Sequence, residues 1–137
     1  MRIVLDSNVL LAALISRGAC AKLLDHVILN HTVIGSEFLF GEVREHLVGK
    51  FGSTPTDAHE AISLLRSKME IVAPVPLPSS ICRDKDDDMV LATAVTGQVA
   101  CIVTGDGDLL VLGEYVGIKI LRPSQFPDFE AAHEGKP

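Results

Sequence analysis

The chain has 137 residues, 47% hydrophobic and 22% charged, with a formal net charge of −6. This length suits one compact domain with a substantial core, which excludes a wholly disordered chain. The acidic balance excludes nucleic-acid binding by bulk positive charge, and the content of one Tyr, five Phe and no Trp argues against binding single strands mainly by stacking.

Strand-like and helix-like patterns alternate along the chain. Short apolar or β-branched runs predict strands at residues 3–5, 32–34, 71–72, 101–103 and 118–120. Apolar residues at helical spacing, preceded by turn and capping residues, predict helices at residues 9–15, 19–29, 37–48, 57–65 and 87–96. Strands separated by helices imply an α/β fold, a three-layer α/β/α sandwich with a central, mostly parallel sheet of about five strands. Residues 127–137 have the composition of a flexible tail.

No segment has the pattern of an export signal or a membrane span. The longest apolar run, Val9 to Ile15, is far shorter than the about 20 residues needed to cross a bilayer. Three widely spaced cysteines, Cys20, Cys82 and Cys101, form neither a disulfide framework nor a zinc motif. These features predict a cytoplasmic protein with reduced thiols and no membrane partner.

Acidic residues follow the predicted strands. Asp6 comes directly after the first strand and Asp106 after the fourth, where ligands of open parallel sheets bind. Residues 84–108 contain six aspartates and one basic residue, Lys85. Carboxylates gathered at one sheet edge repel each other, and Mg²⁺ or Mn²⁺ with oxygen ligands would relieve that repulsion. Such a site would support phosphodiester hydrolysis.

Ordinary structural roles remain open for several of these acids. Asp84 and Asp88 stand at a predicted helix N-terminus, where carboxylates favour capping and the helix dipole. Asp106 and Asp108 also suit a simple turn, and Glu42 suits the exposed face of an amphipathic helix. The five histidines show no spacing typical of a histidine metal site.

Four short motifs occur in the order found in PIN-domain nucleases, and the chain resembles that family over residues 1–126. The motifs are Ile3-Val4-Leu5-Asp6-Ser7-Asn8-Val9-Leu10, Glu42-Val43-Arg44-Glu45-His46-Leu47, Asp87-Asp88-Met89-Val90-Leu91-Ala92-Thr93-Ala94 and Val103-Thr104-Gly105-Asp106-Gly107-Asp108-Leu109-Leu110. The segment Leu121-Arg122-Pro123-Ser124-Gln125-Phe126 is similar to the close of the bacterial VapC-like branch, the toxins of toxin–antitoxin pairs.

The resemblance implies a Mg²⁺- or Mn²⁺-dependent endoribonuclease with an RNA substrate, a cognate antitoxin and a homodimeric state. It makes Asp6, Glu42, Asp87 and Asp106 the catalytic and metal-binding carboxylates. In this assignment Asp6 and Asp87 hold the first metal, Glu42 orients the attacking water or helps hold the metal, and Asp106 completes the site or binds a second ion.

Further residues are auxiliary in this assignment. Asn8 and Thr104 would fix the carboxylates from a surrounding shell, while Asp84, Asp88 and Asp108 are reserve ligands. The chain departs from the family pattern at Gly107, where related sequences often carry a larger and frequently basic residue.

Two other functions are compatible with parts of the sequence. An aspartate-nucleophile phosphohydrolase also has an Asp after its first strand, but it needs a second Asp where this chain has Asn8. A PIN-like module that binds RNA or protein without cutting is the main alternative. The presence of all four carboxylates argues against it, because a non-cutting scaffold has no evident need for their mutual repulsion.

Overall fold

The computed structural model describes residues 1–134 and confirms the α/β sandwich. Its sheet has six strands, which are β1 (Arg2–Leu5), β2 (Thr32–Gly35), β3 (Glu70–Ile71), β4 (Cys101–Val103), β5 (Glu114–Tyr115) and β6 (Ile118–Leu121). Their order across the sheet is β3-β2-β1-β4-β6-β5. All neighbouring strands are parallel except β5 and β6.

Helices cover both faces of this sheet. They are α1 (Ser7–Ile15), α2 (Ala19–Asn30), α3 (Glu37–Gly49), α4 (Pro55–Ser67), α5 (Lys85–Thr96), α6 (Gly107–Leu110) and α7 (Phe126–Glu134), with a 3₁₀ helix at Pro123–Gln125. Alternate residues of a strand point to opposite faces, so Ile3 and Leu5 pack with α1 to α4 and Val4 packs with α5 and α6. This arrangement is the predicted three-layer sandwich.

Capping residues define where the helices around the sheet edge begin. The side chains of Asp6, Ser36, Asp84 and Asp106 accept backbone N–H groups at the starts of α1, α3, α5 and α6. Thr54 caps α4, which therefore begins at Pro55, slightly before the start predicted from sequence.

The parallel register brings the ends of three central strands together. β1 lies between β2 and β4 and pairs in parallel with both, so that Ile3 is opposite Val33 on one side and Cys101 on the other. Asp6, Ser36 and Thr104 directly follow these strands, so they lie at one edge of the sheet. That edge holds the candidate site.

The sheet has one strand more than the five predicted. β5 pairs antiparallel with β6 through a tight turn at Val116 and Gly117, whose φ angles are 42° and 85°. A β-branched residue is rare at positive φ, so the sequence at this turn carries no usual hairpin signal.

The C-terminal segment forms helix α7 where its composition predicts a flexible tail. Phe126 is buried, Phe129 packs against the same core, and Glu130 Oε2 lies 2.5 Å from Nε2 of His31. These contacts join residues about a hundred positions apart, so local composition does not reveal them. Residues 135–137 of the predicted tail lie outside the described residues.

Within residues 1–134, no single helix combines the length and apolar character needed to cross a bilayer. α1 and α2 together meet both criteria, but a bend of 109° separates them.

Gly97, which ends α5, lies too close to the sheet to accept a side chain. A Cβ there would stand 2.6 Å from Cγ2 of Ile34 and 3.1 Å from the carbonyl oxygen of Thr93. We therefore expect Gly97→Ala to lower the free energy of unfolding by about 1–3 kcal/mol in urea titrations. In the matched control Gly41→Ala, the new Cβ has no atom within 4 Å. The control should be neutral or stabilising, and equal destabilisation of both variants would contradict this packing.

Candidate functional site

Asp6 is a buried carboxylate held by three donors. The residue is only 3% exposed to solvent. Oδ1 accepts the backbone N–H of Ser7 at 2.7 Å, while Oδ2 accepts Thr104 Oγ1 at 2.7 Å and Asn8 Nδ2 at 3.0 Å. Burial raises the pKa of Asp6, and these hydrogen bonds act in the opposite direction. The result is a carboxylate with a fixed orientation at the end of β1.

Thr104 and Asn8 also tie the loop after β4 to the start of α1. Thr104 Oγ1 accepts the backbone N–H of Asp106 at 2.9 Å. Asn8 Oδ1 accepts the backbone N–H of Gly105 at 2.9 Å. The two polar residues therefore set the position of Asp106 relative to Asp6.

Three aspartates converge beside this network. Asp87, Asp106 and Asp108 each offer a carboxylate oxygen, and the three oxygens lie within 4.8 Å of one another. Asp87, in the first turn of α5, is 8% exposed. Its burial and a hydrogen bond to Asp106, together with the charges of Asp106, Asp84 and Asp6, raise the pKa of Asp87 to about 8. Asp6 is not one of these three, but it lies close enough for its charge to raise the pKa of Asp87, and we call Asp6, Asp87, Asp106 and Asp108 the acidic cluster.

Glu42 faces the cluster from α3. Burial raises the pKa of Glu42 to about 7, and the nearby charges of Asp6 and Asp86 raise it further, while the side chains of Ser7 and His46 oppose the shift. Glu42 thus lies close to Asp6 and Ser7 and is not a fully solvated surface acid.

The acids predicted as reserve ligands take different positions. Asp108 joins the acidic cluster. Asp84 caps α5 by accepting the backbone N–H of Asp86 at 2.9 Å. Asp88 accepts the backbone N–H groups of Ile81 at 3.2 Å and Cys82 at 2.8 Å, so it anchors the preceding loop.

Sequence reasoning missed one charged residue at the site. Arg83 Nη2 donates to both carboxylate oxygens of Asp108 at 3.0 Å. The two residues are 25 positions apart, and no motif joins them. At Gly107, the departure from the family pattern, a Cβ would meet no atom within 4 Å.

The donor set of the acidic cluster fits a hard divalent cation. Its potential ligands are all carboxylate oxygens, the type that Mg²⁺ and Mn²⁺ prefer. The raised pKa of Asp87 shows that its negative charge is poorly compensated by the surrounding protein. A cation bound between these oxygens would supply the missing compensation.

Without a divalent cation, we expect the chain to be less stable at pH 8.5 than at pH 5.5. Because the pKa values of Asp87 and Glu42 are raised to about 8 and about 7, the folded chain holds these protons more tightly than the unfolded chain. That stabilisation is complete below the unfolded pKa values and is lost as pH rises through the folded ones.

Urea unfolding in EDTA at the two pH values measures this effect, for which we expect a loss of roughly 1–3 kcal/mol. The Asp87→Asn variant should show a smaller loss, because it lacks the group with the larger shift. An identical pH dependence in the variant would contradict the assignment to Asp87.

Known proteins resemble this chain in family and in fold. The PIN domain family model matches residues 2–108. The crystal structure of VapBC2 from Rickettsia felis bound to a DNA fragment from their promoter matches with a TM-score of 0.65 and 12% identity, covering 89% of this chain and 98% of that one. The structure of VapBC-1 from nontypeable Haemophilus influenzae matches with a TM-score of 0.63 and 16% identity, covering 90% and 99%. At these identities the structural likeness shows a shared fold, and no curated protein matches the sequence significantly.

Proposed function

The chain belongs to the PIN-domain family, and on this premise we propose that it is a divalent-metal-dependent endoribonuclease, the toxin of a toxin–antitoxin pair. The observation that carries this proposal is the convergence of Asp87, Asp106 and Asp108 beside the buried carboxylate of Asp6. Composition alone disfavours RNA binding, but a cation held at this edge would attract the phosphate backbone.

In this proposal each carboxylate has a defined task. Asp6 and Asp87 would hold the first Mg²⁺ or Mn²⁺ ion, and Asp106 would complete the site or bind a second ion. Asp108, whose carboxylate lies with those of Asp87 and Asp106, would be a further ligand. When bound, a metal would supply a water molecule of lowered pKa and stabilise negative charge on the phosphate. Glu42, beside Asp6, orients the attacking water. Thr104 and Asn8 keep Asp6 in one orientation through their hydrogen bonds.

The structural relatives support one of the proposed partners, an antitoxin protein. Both relatives are structures of VapBC complexes, and their shared fold with this chain supports a protein antitoxin as its partner. We further propose that the nuclease domain spans residues 1–126, that the protein is a homodimer, and that it acts in the cytoplasm, where its three free cysteines would stay reduced.

Cleavage of a mixed pool of single-stranded RNA by the purified protein tests the proposal. We expect cutting with Mg²⁺ or Mn²⁺, none with EDTA, and none by Asp6→Asn that has been checked for folding. Equal cutting by wild type and variant would indicate a contaminating nuclease. RNA binding without any cutting would favour the non-catalytic binding module.

A further inference from the structure

Arg83 is a basic residue in contact with the acidic cluster. Among the ion pairs formed within residues 1–134, the pair between Arg83 and Asp108 is the one that includes a member of the cluster. The Arg83 side chain is 84% exposed and that of Asp108 is 43% exposed. The guanidinium therefore stands at the solvent side of the cluster, where a substrate would arrive.

The backbone on both sides of Arg83 is anchored. Asp88 accepts the N–H groups of Ile81 and Cys82, just before Arg83, and Asp84, just after it, caps α5. These contacts bring a side chain of the 78–84 loop to the site even though no regular element carries it. The backbone of Arg83 is thus fixed, while its positively charged guanidinium is exposed to solvent.

The negative charge of the acidic cluster favours a role in substrate binding for an exposed basic group such as Arg83. An RNA phosphodiester is an anion, and the carboxylates of the cluster repel it unless cations face it. Arginine suits a phosphate because its planar guanidinium presents several N–H donors in a fixed fork. Exposed ion pairs are worth about 0–1 kcal/mol, so a bound metal and a phosphate can readily compete for Asp108 and Arg83.

We propose that Arg83 binds an RNA phosphate beside the metal site, and that Asp108 holds its guanidinium until a cation takes over that carboxylate. The inference rests on the proposed nuclease function and adds a substrate-binding residue to it. In the metal-free chain the ion pair neutralises Asp108. In a metal-loaded chain, Asp108 would be neutralised as a ligand, and the donors of Arg83 would be free to bind the substrate.

The test compares Arg83→Gln with Lys85→Gln, a control that also removes one positive charge and lies two residues further along the chain. Lys85 lines a separate pocket with Pro76 and Leu77 and has no ion pair within residues 1–134. Steady-state cleavage of a short single-stranded RNA should show a KM raised about tenfold in Arg83→Gln, with a smaller change in kcat and little change in Lys85→Gln. Arg83→Lys, which keeps the charge without the fork, should lie between wild type and Arg83→Gln.

A second readout needs no RNA. Calorimetric titration with Mn²⁺ should show about two- to fivefold tighter binding to Arg83→Gln than to wild type, because the competing guanidinium is gone. If the wild type is active but the KM values of Arg83→Gln and Lys85→Gln are equal, the proposed role of Arg83 is wrong. The proposed nuclease function would then still stand. A wild type that binds Mn²⁺ but cuts no RNA would overturn the proposed function, and the phosphate contact with it.

Discussion

Asp87→Asn is expected to reduce metal-dependent RNA cleavage by about a thousandfold, measured as kcat/KM, because several kcal/mol of charge stabilisation depend on the bound metal. Asp87 is 8% exposed, and its burial, together with the neighbouring carboxylates, raises its pKa to about 8. Asparagine keeps the shape of the side chain but supplies no negative charge to a cation. The loss should therefore appear in metal-dependent activity and not in the fold.

The matched control for this variant is Asp57→Asn. Asp57 lies in the first turn of α4, as Asp87 does in α5, but it is not part of the acidic cluster. Asp57→Asn should retain full activity. In EDTA at pH 7.5, the urea midpoint of Asp87→Asn should be at least as high as that of wild type. Asparagine needs neither a buried charge nor the proton that Asp87 takes up on folding. Activity near the wild-type level in a well-folded Asp87→Asn would refute the assigned role.

Thr104→Val is expected to lower cleavage about 10- to 100-fold, the effect typical of removing a group that orients a metal ligand. Its hydroxyl donates to Asp6 Oδ2 at 2.7 Å and accepts the N–H of Asp106 at 2.9 Å, so valine leaves both groups short of a partner. Because the site is buried, the free energy of unfolding should also fall, by about 1–3 kcal/mol.

Thr93→Val separates these two effects. Thr93 is equally buried and its hydroxyl contacts Ser36 Oγ at 3.0 Å and the carbonyl oxygen of Met89 at 2.9 Å, neither of which belongs to the acidic cluster. This variant should lose stability while its kcat stays close to that of wild type. If Thr93→Val and Thr104→Val lose activity in proportion to their stability, the orienting role of Thr104 is wrong.

The parts of the site that sequence could predict depend on local signals. Asp6 follows a buried strand, Ser36 is a recognisable N-cap, and both lie where those patterns place them. Neighbouring residues on a helix point in different directions, so Asp87 turns to the cluster while Asp88 turns to the backbone of Ile81 and Cys82. The family resemblance favoured Asp87, and the structure gives the physical distinction between the two.

The parts that sequence could not predict depend on contacts between distant residues. Asp108, predicted only as a reserve ligand, joins the cluster because Asp106 caps α6 and thereby fixes the position of the following turn. Its partner Arg83 comes from a loop whose course is set by Asp88. Helix α7 similarly depends on packing of Phe126 and on the contact of Glu130 with His31. None of these contacts has a signature within a short stretch of sequence.

The central claim is that the acidic edge of the sheet binds a divalent cation, and calorimetric titration with Mn²⁺ tests it most directly. Wild type and Asp57→Asn should bind Mn²⁺ alike, while Asp87→Asn should bind about 10- to 100-fold more weakly or not at all. Absence of Mn²⁺ binding to the wild type, or equal binding to Asp87→Asn, would contradict the claim.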